Sequence, residues 1–235
     1  MKTIVILTGA GISAESGLPT FRDANGLWEG PRVEEVATPE AFHRQPGLVH
    51  RFYNLRYDAL MKVQPNAAHR AIAQLQDEFD GEVALVTQNV DDLHERGGSR
   101  SVFHMHGELG KARCERCGKV FGNRGKLSAD LACGNCHETG GLRPHIVWFG
   151  EMPFHMTEIE EALERATLFV AIGTSGQVYP AAGFVHQARE AGARTIEINN
   201  AGTKISSQFE HHMTGPATVQ VPMIVKSLLE GKFEP

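Results

Sequence analysis

The chain has 235 residues, of which 41% are hydrophobic, with a formal net charge of −5 and four cysteines. That length and apolar content can bury a substantial core, as one large domain or as one domain with a small insertion. The mild acidity gives no strong nucleic-acid signal, and no apolar run reaches the length that a membrane helix needs.

Residues 3–8 read as a buried parallel strand, and Gly9-Ala10-Gly11-Ile12-Ser13-Ala14 as a glycine turn opening a helix. Gly9 suits the tight turn, Gly11 would let a pyrophosphate approach the backbone, and Ala14 fills the small third position of a dinucleotide fingerprint. The same residues also fit a strand turned by two glycines with no ligand. Only four apolar residues lie between Thr3 and Thr8, too few for a signal-peptide core, so a cytoplasmic location is expected. Pro19 then cuts the first helix short and makes residues 20–26 a loop. The chain reaches Glu34 and Glu35 without a second strand, which disfavours a hydride-transfer dehydrogenase but not a dinucleotide.

Residues 31–80 carry no strand pattern and read as an inserted helical module whose last helix covers 67–79. Within it Tyr53 and Arg56 stand three apart, hence on one helix face; alone they fit a core tyrosine beside a surface arginine. A second buried strand over 81–87 ends in Gln88-Asn89-Val90-Asp91-Asp92-Leu93-His94, and a short strand over 101–107 carries His104 and His106. Cys114-x2-Cys117 and Cys133-x2-Cys136, with fifteen residues between the pairs, match a four-thiolate structural zinc site, two disulfides being the alternative. Four thiolates leave no open position for a water, so the metal reads as structural. Lys111, Arg113, Arg116, Lys119, Arg124 and Lys126 face Glu115 alone over 111–126, a solvated basic face or else a polyanion site.

Helices over 157–166, 180–191 and 221–231 alternate with strands over 168–175 and 195–199. This alternation implies an α/β fold with a doubly wound, Rossmann-like parallel sheet drawn from residues 1–30, 81–110 and 144–235. A small domain would combine the helical insertion at 31–80 with a zinc-ribbon module at 111–143. Ligands of such sheets sit beyond the carboxyl ends of the strands, where four polar strand ends would converge.

Six pieces occur in order over nearly the whole chain: Gly9-Ala10-Gly11-Ile12-Ser13 with Gly17-Leu18-Pro19-Thr20-Phe21-Arg22; Thr87-Gln88-Asn89-Val90-Asp91; His106-Gly107; the four cysteines; Pro144-His145-Ile146-Val147-Trp148-Phe149-Gly150-Glu151; and Gly173-Thr174-Ser175. Together they resemble the sirtuins, the bacterial members most of all. The resemblance implies an NAD-dependent protein-lysine deacylase that gives nicotinamide and O-acyl-ADP-ribose, holds Zn2+ at the cysteines, and takes acylated lysine side chains of proteins as its partners.

The resemblance also implies roles. His106 would be the general base, suited to that work by an imidazole titrating near neutrality, and Asn89 would orient the ribose hydroxyls and a water. NAD would contact Gly9, Ala10, Gly11, Ile12, Ser13 and Glu15 at the turn, and Gln88, Asn89, Val90 and Asp91 at the second strand end. Further contacts would come from Phe21 and Arg22 in the loop, from Gly173, Thr174 and Ser175, and from Asn199 and Ala217. Asp91 would accept from the nicotinamide carboxamide, Arg22 would pair with phosphate, and Phe21 would shield the reactive carbon. Val147, Phe149, Gly150, Glu151 and Val178 would flank an extended peptide added as a strand, with Trp148 as a wall. Sirtuins that remove negatively charged acyl groups carry Tyr-x-x-Arg and a small alanine. Tyr53, Arg56 and Ala37 match that pattern and imply a succinyl or malonyl preference. One departure is that an acid often follows the residue matched by Asn199, whereas Asn200 and Ala201 stand here, leaving the later ribose contacts open.

Two rival classes share some of these residues. A zinc hydrolase built on His94, His104 and His106 would need no NAD, and a non-catalytic nucleotide sensor with a zinc module would release no nicotinamide. His94 with Asp91 and Asp92 also imitates a metal cluster, while His104 reads as a packed or solvated side chain and His211-His212 as polar surface.

Overall fold

The computed structural model describes residues 2–20 and 33–232. Strand β1 (Thr3–Thr8) enters the glycine turn and a single helical turn, α1 (Gly11–Ala14). Three helices, α2 (Val33–Val36), α3 (Pro39–Arg44) and α4 (Pro46–Leu60), precede α5 (Ala67–Glu78) and β2 (Glu82–Thr87). Next come α6 (Leu93–Arg96), β3 (Phe103–His104), β4 (Gly107–Cys114), β5 (Val120–Gly122) and β6 (Leu142–Ile146). The last third holds α7 (Met156–Glu164), β7 (Leu168–Ile172), α8 (Phe184–Glu190), β8 (Arg194–Asn199), β9 (His211–Thr214) and α9 (Ala217–Leu229).

Six strands form one parallel sheet in the order β3-β2-β1-β7-β8-β9. Every residue of β1 is buried, because helices cover both faces and an apolar run replaces alternation. Successive residues point to opposite faces, so Ile4 and Ile6 pack with Ile72 and Leu75 of α5 and Val221 and Val225 of α9. Val5 and Leu7 pack instead with Ile159 and Leu163 of α7 and Phe184 of α8. The chain reverses its winding between β1 and β7, which opens a crevice at their carboxyl ends. Above that crevice, β5-β4-β6 form a small antiparallel sheet beside α2, α3 and α4, around a core that includes Phe42, Tyr53, Leu109 and Trp148.

Several elements differ from the sequence expectation. Helix α5, read as part of the helical module, packs on the main sheet against α9, because Ala68, Ala71, Ile72 and Leu75 form its apolar stripe. It begins at a capping box in which Asn66 accepts from the Ala68 N–H and His69 Nδ1 accepts from the Asn66 N–H. Helix α9 starts four residues before the expected 221 and runs through Pro222, whose missing N–H removes one bond toward Thr218 while Val221, Ile224 and Val225 stay buried. The helix expected over 180–191 divides into a 3-10 turn at Ala181–Gly183 and α8. His211-His212, read as plain surface, lies on the edge strand β9, where His212 Nδ1 meets Glu197 at 3.2 Å.

Candidate active site

The glycine turn is stitched to the neighbouring strand rather than left open. Gly9 N–H donates to the Ile172 carbonyl and Gly11 N–H to the Gly173 carbonyl, each at 2.9 Å. A Cβ on Gly9 would come within 2.8 Å of the Gly173 carbonyl oxygen, and one on Gly11 within 2.6 Å of Gly173 Cα. Gly173 itself has φ +61°, where a side chain is strained. Hence the absence of side chains at Gly9 and Gly11 first serves backbone packing between β1 and β7. This adds to the reading of Gly11 as a pyrophosphate seat. The Ile12 side chain is wholly buried in the core.

Behind the turn lies a buried polar network. Ser13 Oγ donates to Asp91 Oδ2 at 3.0 Å, while Asn89 Nδ2 donates to the Gly9 carbonyl at 3.1 Å and to Ser13 Oγ at 3.3 Å. His69 Nδ1 is an acceptor in the capping box, so its proton sits on Nε2 and points at Ser13 Oγ, 3.5 Å away. Asp91 Oδ1 also takes the Leu93 N–H at 3.1 Å. Burial pushes the Asp91 carboxyl up to about 6 despite these bonds, and it pulls His69 down to about 4. Val90 contributes its carbonyl to the Leu109 N–H at 2.8 Å, tying this strand end to β4.

The three histidines occupy three different settings. His106 Nδ1 donates to the Gln88 carbonyl at 3.1 Å, which fixes the tautomer and leaves Nε2 as a lone-pair acceptor. Burial lowers its pKa, with the Gln88 carbonyl partly opposing, so the ring is a neutral base at physiological pH. His104 is buried, with Nδ1 on the Asn89 carbonyl at 3.3 Å and Nε2 on Glu95 at 2.6 Å. Burial would lower its pKa, but the bond to Glu95 prevails and raises it. His104 is packed, in line with the expectation from sequence, and from that position it also braces the backbone carbonyl of Asn89. His94 Nε2 meets Thr8 Oγ1 at 3.0 Å, and Thr8 donates onward to Thr87 at 2.8 Å. Among the described residues, no group of three metal-ligating side chains contains His94, so neither the Asp91-Asp92-His94 cluster nor the three-histidine zinc hydrolase is assembled.

Toward β8, Gln88 Nε2 donates to Thr174 Oγ1 at 2.9 Å, and Asn199 Nδ2 donates to the Thr174 carbonyl at 2.8 Å. Asn199 thus braces the loop bearing Gly173, Thr174 and Ser175. It also borders a cavity of about 130 Å³ with Glu197, Gly202, Ser206, Met213 and Thr214. Glu15 reaches the start of α9, accepting from the Thr218 N–H at 3.2 Å and from the Thr218 hydroxyl. A carboxylate there complements a helix N-terminus, next to the buried Ala217. Sequence gave no sign of that capping role, since it depends on two residues far apart in the chain. Ala10 forms the N-cap of α1, and Phe21 and Arg22 lie outside the described residues.

In the small domain, Tyr53 is buried and its hydroxyl accepts the Trp148 indole N–H at 2.9 Å. Trp148 is only 2% exposed, so it is a core residue rather than the substrate wall expected from its neighbours. The Arg56 guanidinium lies 3.6 Å from the Phe52 ring centroid. Burial lowers Arg56 to about 10, and the nearby Tyr53 partly opposes that shift. Ala37 is buried, with its carbonyl accepting the Phe149 N–H at 3.0 Å, and Val147 N–H donates to the His106 carbonyl at 2.9 Å. Phe149, Gly150, Met152, Val178 and Tyr179 are exposed at the rim. Glu151 does otherwise: its carboxylate binds Arg143 at 2.7 and 2.9 Å, Arg113 at 2.7 Å and the Trp148 N–H at 2.8 Å. Its acceptor capacity is therefore taken up inside the fold rather than offered to a peptide, and of the basic stretch Arg113 is drawn into the same cluster.

The four cysteines test the metal reading directly. Zinc bound to four thiolates at about 2.3 Å sets sulfurs about 3.8 Å apart at the tetrahedron's edges. Cys114 and Cys136 Sγ lie 3.8 Å apart, Cys117 and Cys133 Sγ 3.7 Å, and all four atoms fall within 4.8 Å of one another. A disulfide needs about 2.05 Å, so the thiol set fits a tetrahedral zinc ion and not two cystines. Among the described residues no helix is long and apolar enough to cross a membrane.

Comparison with known proteins agrees with this arrangement. The curated NAD-dependent protein deacylase of Vibrio vulnificus strain YJ016 is 54% identical over 230 residues, covering 97% of this chain and 94% of the relative. That of Shewanella oneidensis is 54% identical over 231 residues, covering 97% and 95%. A crystal structure of a Sir2 homolog–NAD complex superposes with a TM-score of 0.88 at 39% identity, covering 97% of this chain and 90% of that one. The Sir2 family model matches residues 9–180, from the first glycine of the turn to the proline beyond the exposed Val178-Tyr179 rim, and the chain belongs to the Sir2 family.

Proposed function

We propose that this protein is an NAD-dependent protein-lysine deacylase that accepts acetyl-lysine and prefers acyl groups ending in a carboxylate. The observation that carries the deacylase reading is the pairing of His106 with the Gln88 carbonyl, one residue from Asn89, at the carboxyl end of β2. Bound NAD supplies an electrophilic anomeric carbon and nicotinamide as leaving group. The residues of this chain do the rest. His106 Nε2 takes the proton of a ribose hydroxyl, a task for which its Nδ1 bond presents the correct tautomer. Asn89, held by Gly9, Ser13 and Thr87 and with its backbone carbonyl braced by His104, would orient the ribose. Asp91 offers a buried acceptor for a carboxamide. The exposed rim of Phe149, Gly150 and Val178 flanks an extended peptide, and the cysteines hold zinc away from the chemistry.

The acyl preference rests on Tyr53 and Arg56. The two side chains pack on the same Phe52 ring of one helix, and Ala37, small and buried, belongs to the same core cluster as Tyr53. A carboxylate accepts from both, whereas an acetyl methyl gains nothing. Matched acetyl- and succinyl-lysine peptides, with and without NAD and followed by mass spectrometry, test both levels. Turnover without NAD would refute the deacylase reading. Arg56→Met should lower desuccinylation about tenfold to a hundredfold relative to deacetylation, the worth of one charge-assisted hydrogen bond. Equal loss on both substrates would return the reading to a general deacetylase.

A further inference from the structure

We infer that Trp148 is a positioning residue for the acyl pocket: its indole N–H sets the direction of the Tyr53 hydroxyl proton and thereby strengthens the preference for acyl groups ending in a carboxylate. The inference rests on the assignment of Tyr53 and Arg56 to that pocket.

A phenolic O–H lies near the plane of its ring, which gives the proton two orientations. The Trp148 Nε1–H approaches the Tyr53 oxygen at 2.9 Å and occupies the acceptor site on one side. Two hydrogens cannot share that site, so the Tyr53 proton turns to the other. A donor whose proton direction is already chosen loses less freedom when an anion arrives. Burial also pushes the Tyr53 hydroxyl up to about 12, so it remains a donor throughout the physiological range.

The indole can hold that direction because it is packed against two fixed neighbours. The Arg143 guanidinium sits 3.1 Å from its ring centroid, and Phe42 packs at 5.5 Å. Arg143 is 1% exposed and is fixed by Glu151 at 2.7 and 2.9 Å and by the Ile146 carbonyl at 3.0 Å. Glu151 also takes the Trp148 backbone N–H at 2.8 Å, so one carboxylate secures both the residue and the cation stacked on it. The Phe52 ring meets Tyr53 edge to face at 5.0 Å and carries Arg56 at 3.6 Å. The phenol and the guanidinium are thereby coupled through packing, and a ligand with paired acceptor oxygens is the chemistry that suits both.

The decisive variant replaces Trp148 by benzothienylalanine, which keeps the bicyclic shape and substitutes sulfur for the N–H; Trp148→Phe is the genetically simple companion. The ratio of desuccinylation to deacetylation kcat/KM should fall roughly threefold to tenfold, the range for one neutral hydrogen bond, and chiefly through the KM for the succinyl peptide. In a Tyr53→Phe background the same replacement should leave the ratio unchanged, because no hydroxyl remains to be oriented. An unchanged ratio in the benzothienylalanine protein would overturn the inference, as would an equal fall with and without the Tyr53 hydroxyl. Arg56→Met separates the two levels. If it lowers both substrates equally, the acyl-pocket assignment fails and this inference with it. If it is selective while the Trp148 replacement is not, only the role of Trp148 falls.

Discussion

Replacing Glu151 by Gln tests whether that carboxylate belongs to the fold or to a peptide groove. It compensates Arg143, whose side chain is 1% exposed and bonded to Glu151 at 2.7 and 2.9 Å, with Glu115 more distant at 3.3 Å. Removing one partner of a buried ion pair costs about 3–5 kcal/mol, because the other charge stays desolvated. Glutamine still offers one carbonyl oxygen, so Glu151→Gln should sit near the lower end and Glu151→Ala near the upper. For a chain of this size each kcal/mol moves Tm by about 2–4 °C, which gives a fall of about 6–12 °C for the glutamine variant. Calorimetry and urea unfolding of the zinc-loaded protein at pH 7.5 measure it. Burial raises the Glu151 pKa, but hydrogen bonds from Arg143 and the Trp148 N–H outweigh it, so the net shift is downward. A depressed carboxylate stabilises the fold above its usual range, and that contribution is lost as pH falls through the lowered value; the variant should therefore lose less stability on acidification. An unchanged Tm with a raised peptide KM would refute this reasoning and restore Glu151 to the substrate groove.

Two further outcomes follow from the buried groups. Cys133→Ser removes one of four thiolates and should release zinc and unfold residues 111–143, read by metal analysis and limited proteolysis; a stable, zinc-free and fully active variant would contradict the structural role. Asp91→Asn should stabilise the protein at pH 7.5 by up to about 3 kcal/mol while lowering activity, because burial raises the carboxyl to about 6 and its ionisation is unfavourable above that pH. The sign is opposite for His69. Its lowered value of about 4 gives stability that is present above the unfolded value near 6.5 and lost as pH falls toward 4. Asp91→Asn removes the contribution of opposite sign, so stability should climb more steeply between pH 4 and 6.5 than in the parent. A variant less stable than the parent at pH 7.5 would sink the argument.

What could be read in the sequence was what periodicity and spacing encode. β1 announced itself because a strand covered on both faces is continuously apolar, and the zinc module because thiolate geometry imposes close cysteine pairs. Partners distant in sequence left no such trace. Helix α5 follows residues 31–66 without a break in composition, and only packing against α9, some 150 residues later, assigns it to the main sheet. Trp148 and Glu151 lie in a segment whose neighbours Phe149 and Gly150 face solvent, yet both turn inward to Arg143, a residue the sequence did not mark. His104 is packed as its sequence suggests, but its bonds to the Asn89 carbonyl and to Glu95 join segments that no local pattern connects.

The same contrast explains why the polar network under the turn persists. Ser13, Asn89, Asp91 and His69 are all buried, and a core of similar volume built from leucine and valine would fold with less penalty. The fold tolerates them because each is held by a neighbour fixed for another reason. Gly9 and Gly11 are locked to β7, His69 is committed to the α5 cap, and Leu93 N–H begins the turn of α6. Removing any one of these would leave a buried polar atom without its partner, at a cost of about 1–3 kcal/mol. Backbone devices that could be justified by folding alone thus fix the directions of the Asn89 amide and the Asp91 carboxylate before any ligand arrives. Such preorganisation is what an electrostatic site requires, and it is obtained here from a strand turn, a helix cap and a short helix.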